Sequence, residues 1–261
     1  MSSLRDRLWL WGHLAGSQND TWNLPAPSRM TPTEAAGYMG IPNILMIVYR
    51  GKPEPPFDLH ARAMSPLKRV VWSIVGDSSS TRNDESSDLE HVVDLAERFP
   101  NITGAIMDDF FHPPNDAGSI ARYSVDDLAG FRSRLHGAAR PLDLWVVLYT
   151  HQLDLPVTAH LDQCDVTTFW TWRAADLANL EANFARFETL APRTRKILGC
   201  YLWDYGDRKP MPLETFQRQY RLGMRWLEEG RIEGIIFLAT CMCDLGIDTV
   251  EWLRGELRSL G

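Results

Sequence analysis

Short apolar runs alternate with amphipathic stretches from one end of the 261-residue chain to the other. The runs fall at 8–11, 44–49, 70–75, 102–107, 142–149, 166–170, 197–203 and 234–238, each rich in Val, Ile, Leu or aromatic residues. None alternates strictly with polar residues, which is how strands buried on both faces read. Helical periodicity fills the gaps at about 33–40, 57–66, 87–99, 125–138, 156–162, 175–190, 213–229 and 247–259. Several of these stretches carry start signals. Thr31-Pro32-Thr33-Glu34 is a capping box with proline at the first helical position, and Ser87-Asp88-Leu89-Glu90 and Ser124-Val125-Asp126-Asp127 repeat the pattern. Pro212 opens the seventh helix and Gly230 closes it. Eight strand–helix units in a chain of this length predict an α/β fold, a single (β/α)8 TIM barrel over residues 1–261, rather than an open sheet. No linker-like composition break divides the chain, and the Ser/Asn/Asp-rich run 77–87 reads as a long loop after the third strand.

The polar residues that end the apolar runs carry the candidate chemistry. In such a barrel, catalytic groups sit on loops that leave the C-terminal ends of the strands. The run ITGAIMDDFF stops on two adjacent carboxylates, Asp108 and Asp109, and ILGCYLWDYG stops at Asp204. Buried strands avoid charge because an unpaired carboxylate out of water costs several kcal/mol or shifts its pKa. Acid at a strand end beside aromatic rings therefore points to a pocket with paired carboxylates. Side chains alternate along a strand, so a regular strand directs only one of Asp108 and Asp109 inward. Strands four and seven lie nearly opposite around an eight-stranded barrel, which makes Asp204 the expected partner across the mouth. The competing readings are a turn cap for either member of the pair and a salt bridge from Asp204 to Arg173 or Arg208.

The other strand ends supply groups that would position a ligand: His13, Tyr49, His112, Tyr149, His151, Trp170, Trp172, Arg173, Trp203 and Tyr205. Indole faces stack on the apolar C–H faces of sugar rings, while carboxylates, imidazoles and guanidinium groups hydrogen-bond hydroxyls. Of the ten tryptophans, Trp145, Trp226 and Trp252 read as core.

Composition removes several classes. A net charge of -7 and a pI near 5.5 argue against a nucleic-acid partner. No apolar run is long enough to span a bilayer, so no membrane partner is expected. The expected location is the cytoplasm, or outside the cell if a signal peptide has been removed. Cys164, Cys200, Cys241 and Cys243 show no CxxC spacing and read as free, buried thiols. There is no HExxH, no phosphate-binding glycine loop and no GxSxG elbow, so no metal or other cofactor is expected.

The pieces MTPTEAAGYMGIPN, ITGAIMDDFF, VTTFWTWRAADLANLE, GCYLWDYGDRKPMP and EGIIFLAT together resemble the glycoside-hydrolase-type TIM barrels, in particular compact members of that superfamily. The resemblance implies that the end of strand four, Asp108 or Asp109, carries an acid or nucleophile. The best-known pattern has Asn-Glu on strand four and Glu on strand seven; every candidate in this chain is Asp. The leading expectation is a carbohydrate-active hydrolase acting on a small-molecule or oligosaccharide substrate through Asp108, Asp109 and Asp204. The alternatives are a metal-dependent sugar isomerase, epimerase or lyase, and a carbohydrate-binding barrel without catalysis.

Overall fold

The computed structural model describes residues 4–83 and 87–259. Eight strands close into a barrel: β1 (Leu8–Gly12), β2 (Asn43–Met46), β3 (Arg69–Val75), β4 (Ile102–Met107), β5 (Asp143–Tyr149), β6 (Val166–Trp170), β7 (Arg195–Tyr201) and β8 (Gly234–Leu238). Each is parallel to both neighbours, and β1 closes the ring by pairing with β2 on one side and β8 on the other. The (β/α)8 architecture expected from the run pattern is therefore the one formed.

Helices α1 (Pro32–Met39), α2 (Asp58–Ala63), α3 (Leu89–Arg98), α4 (Val125–His136), α5 (Thr158–Leu161), α6 (Leu180–Leu190), α7 (Leu213–Glu228) and α8 (Asp248–Ser259) follow the strands in turn. Local chemistry sets their ends. Thr31 and Ser124 form complete capping boxes with Glu34 and Asp127, satisfying N–H groups the helices leave free. The expected box at Ser87–Glu90 does not form. Asp88 is the N-cap there, and its carboxylate turns away to Arg82 and Asn83.

Tryptophan fills the barrel interior in layers. Trp9 from β1 meets Trp145 from β5 with ring centroids 5.2 Å apart, and the next layer pairs Trp11 with Trp170 of β6 at 5.1 Å. Large rings across a narrow barrel need small residues beside them. A Cβ on Gly199 of β7 would stand 2.0 Å from the Trp170 indole, so glycine is required there.

Two strand ends depart from expectation, and both matter for the site. β2 stops at Met46, and Tyr49 turns back to pair with Lys52. β7 stops at Tyr201 rather than Trp203, because Trp203–Asp204 leaves the barrel to pair antiparallel with Lys209–Pro210.

Candidate active site

The C-terminal ends of the strands open on a cavity of about 470 Å³, within the range usual for small-ligand pockets. Asp108 and Asp109 both line it. Alternation would have sent one of them away, but β4 ends at Met107 and Asp109 takes a left-handed backbone with φ of 41°. That conformation costs a non-glycine residue roughly 1–2 kcal/mol, and it turns the second carboxylate to the same side as the first. The pair is thus a product of the turn after the strand.

The two acids are held differently. Asp108 is buried; its Oδ1 accepts the Asp109 backbone N–H at 2.9 Å. Burial, then the nearby Asp109 and Asp77 carboxylates, push its pKa well above the usual carboxylate range. Asp109 is fixed by two donors, the Tyr149 hydroxyl to Oδ1 at 2.8 Å and the Ser78 backbone N–H to Oδ2 at 3.0 Å. Tyr149, partly buried, stacks on His151 with ring centroids 5.3 Å apart. Burial and Asp109 raise the Tyr149 phenol well above its ordinary value, so the hydroxyl keeps its proton and remains a donor.

Of the other residues singled out in sequence, His13, Tyr49, His112, Trp172 and Tyr205 also reach the cavity. His13 is 3% exposed, and burial lowers its pKa to about 4 against the pull of Asp77, so the imidazole is neutral at physiological pH. Its Nδ1 is buried with no protein partner. His112 is half-exposed at the rim, its Nδ1 beside the Pro113 carbonyl.

Four expected residues stand apart from the cavity. Asp204 does not face Asp108 and Asp109 across the mouth: it is fully buried in the short hairpin, where Oδ1 accepts the Asp207 N–H at 3.2 Å. The cause is the early end of β7, which puts Tyr201 at the rim in its place. Trp203 donates its indole N–H to the Trp22 carbonyl at 2.9 Å and does not line the cavity. Trp170 lies below the floor, packed on Trp11 and Tyr201, with its N–H on the Thr168 hydroxyl. Arg173 is outside the lining, 3.9 Å from Asp207. The hairpin's acid partner for Arg173 is therefore Asp207 rather than Asp204.

Several lining groups escaped the sequence reading, namely Trp11, Gln18, Arg122 and Tyr201, while Trp22 and Asp77 join the lining from places at the mouth. Asp77 and Trp22 were visible as strand-end and loop residues, and Asp77 is the third acid on the β3–β4 side. Its carboxylate caps the turn after β3, accepting the Ser79 and Ser80 hydroxyls and the Arg50 N–H. Arg122 arrives from the loop before α4 and donates to the Asp77 carbonyl at 3.1 Å; nothing in its sequence neighbourhood marks it. Tyr201 could have been found by moving the end of β7 back by two residues.

The result is a two-sided pocket. All three lining carboxylates among the described residues, Asp77, Asp108 and Asp109, leave β3 and β4, while Trp172, Tyr201 and Tyr205 leave β6 and β7. Among the described residues no group of three or more His, Cys, Asp or Glu side chains is arranged to hold a metal ion. Nor is any helix among them long and apolar enough to cross a membrane.

No family model matches the chain, and no curated protein matches it. Solved structures do. A Family GH18 chitinase from Cycas revoluta, in complex with allosamidin, is 13% identical with a TM-score of 0.58, covering 97% of this chain and 99% of the chitinase. A xylanase-alpha-amylase inhibitor protein in complex with trehalose is similar at 13% identity and a TM-score of 0.58, with 97% of each chain covered. The tryptophan synthase complex from Pyrococcus furiosus is similar at 10% identity and a TM-score of 0.52, over 100% of this chain and 99% of that one. At these identities the likeness is one of fold, and the fold hosts unrelated chemistries.

Proposed function

We propose that this protein is a carbohydrate-active hydrolase that cleaves a glycosidic bond at the Asp108–Asp109 pair. The observation that carries the reading is that both carboxyl groups face one aromatic-walled cavity, with Asp108 biased toward its protonated form. Protonated Asp108 gives its proton to the leaving oxygen as the bond to the anomeric carbon breaks. Asp109, held by Tyr149 and Ser78, faces the positive charge that develops on the sugar ring. Water then adds to the anomeric carbon and returns a proton to Asp108. Trp172 and Tyr205 offer the ring faces on which a sugar stacks, and neutral His13 offers both a donor and an acceptor for hydroxyls. The chitinase and the inhibitor protein, whose structures hold allosamidin and trehalose, lend support only through the shared fold.

The test is a panel of glycans and chromogenic glycosides, assayed with the wild type and with Asp108→Asn, Asp109→Asn and Asp204→Asn. Turnover should fall about 100-fold or more in the first two and stay within about tenfold of wild type in the third. No cleavage of any glycan, or full activity in Asp108→Asn, would overturn the reading.

A further inference from the structure

Asp77 is an acid that the hydrolysis described above does not use. It lines the same cavity as Asp108 and Asp109 and is 9% exposed. Three neutral donors hold its carboxylate: the Ser80 hydroxyl and the Arg50 N–H at Oδ1, and the Ser79 hydroxyl at Oδ2. Asp109 is likewise held by a phenol and a backbone N–H, and Asp108 accepts a backbone N–H. Neutral donors orient a carboxylate and leave its charge in place. The guanidinium of the lining, Arg122, gives an N–H to the Asp77 carbonyl.

Asp108 reports how these charges sum. The Asp109 and Asp77 carboxylates each act on it more strongly than Arg122 does, so the net field there draws a positive charge. Asp108 is 5% exposed, and its Oδ1 takes the Asp109 N–H while its Oδ2 has no hydrogen-bond partner among the described residues. The imidazoles do not oppose this field. Burial lowers the pKa of both His13 and His151, so neither adds positive charge at neutral pH. The wall opposite is aromatic, with the Trp172 ring 5.6 Å from Tyr201 and 6.0 Å from Tyr205. Aromatic faces attract cations. The acidic side and the aromatic side therefore share one preference, for a ligand with positive charge.

We propose that the sugar unit bound beside Asp109 carries a protonated amino group, so that the substrates are glycosides of free, non-acetylated amino sugars. This rests on the hydrolase reading above and narrows it. An amino group on carbon 2 is one bond from the anomeric carbon. A ring presented to Asp108 and Asp109 for cleavage therefore brings its ammonium into the same field. Two carboxyl groups suffice for a neutral sugar. An ammonium beside the reacting carbon opposes the positive charge that develops there, and a further carboxylate offsets that opposition. Asp77 supplies it. An acetamido group carries no charge to balance, and an acidic sugar is repelled.

The test is calorimetric titration with methyl glycosides of glucosamine and galactosamine, in both anomeric forms, beside their hydroxyl and N-acetyl counterparts. The work is done at about pH 6.5, where the amine is protonated. At least one amino glycoside should bind about tenfold tighter than both counterparts at low salt, and the advantage should shrink in about 0.5 M salt. Asp77→Asn, checked for folding by thermal melting, should cut the advantage to about threefold or less. The wild-type series decides the amine by itself, whether or not the variant folds. Equal affinity for amino and hydroxyl glycosides, tighter binding of the acetamido sugar, or an advantage that persists in folded Asp77→Asn overturns the proposal. Cleavage of neutral glycosides alone removes the amine and leaves hydrolysis intact. If wild type cleaves no glycan, the hydrolase reading falls and the titrations decide the amine alone; no binding of any amino glycoside overturns it.

Discussion

Asp108 carries a stability cost that its chemistry would require. Its folded pKa lies above the value it has in the unfolded chain, so the folded state binds the proton more tightly. Stability from this group is therefore fully present below the ordinary carboxyl pKa and is lost as pH rises through the folded pKa. At neutral pH a buried carboxyl beside Asp109 and Asp77 works against folding. Asp108→Asn keeps an oxygen for the Asp109 N–H and removes the charge. The variant should be more stable than wild type by about 1–2 kcal/mol at pH 7, and that difference should vanish near pH 4. Denaturant unfolding at both values checks this; equal stability at pH 7 would mean that Asp108 is not strained by its neighbours.

At the scale of elements, the strand ends decide what the site contains, and they were the least legible part of the sequence. Uninterrupted apolar runs give away the eight strands because a strand covered on both faces has no solvent side to advertise. They do not say where pairing stops. The apolar run through Leu202 and Trp203 continues past the barrel because those side chains are buried too, under the hairpin and the loop between β1 and α1. Asp204 was misplaced for that reason. Alternation misjudged Asp109 because it holds only while the backbone stays extended, and a positive φ in an Asp leaves no mark in the hydrophobic pattern. The glycine of β7 belongs to the same scale. Gly199→Ala drives a methyl into the Trp170 ring, which is itself wedged against Trp11 and Tyr201 and cannot retreat. Unfolding measurements should show a loss of about 3 kcal/mol, with activity reduced through a displaced floor. A neutral substitution would mean that the indole layer is looser than its contacts imply.

For the molecule as a whole, the barrel was readable because its evidence is spread over the entire chain, whereas the site depends on a few loop conformations. His13 couples that site to global stability. Its folded pKa of about 4 lies below the unfolded value of 6.5, so the unfolded chain takes up the proton first as pH falls. The group's contribution is whole above about pH 6.5 and is lost as pH drops toward 4, by about 3 kcal/mol in total. Wild type should lose that much more stability than His13→Gln between pH 7 and pH 4, read from paired unfolding curves; parallel losses would place the imidazole in contact with water.

The placement of the three lining acids among the described residues just beyond two adjacent strands also has a consequence for how a ligand arrives. The mouth is asymmetric in charge: Asp77 and Asp109, with the Arg122 guanidinium among them and Asp108 biased toward its neutral form, stand above β3 and β4, while Trp172, Tyr201 and Tyr205 stand above β6 and β7. A molecule bearing a positive centre, such as an amino sugar or a cyclic amine shaped like the cleavage transition state, experiences a torque before it touches anything. On the hydrolase reading it would enter already turned, with its cationic end toward Asp109 and its apolar face toward Trp172.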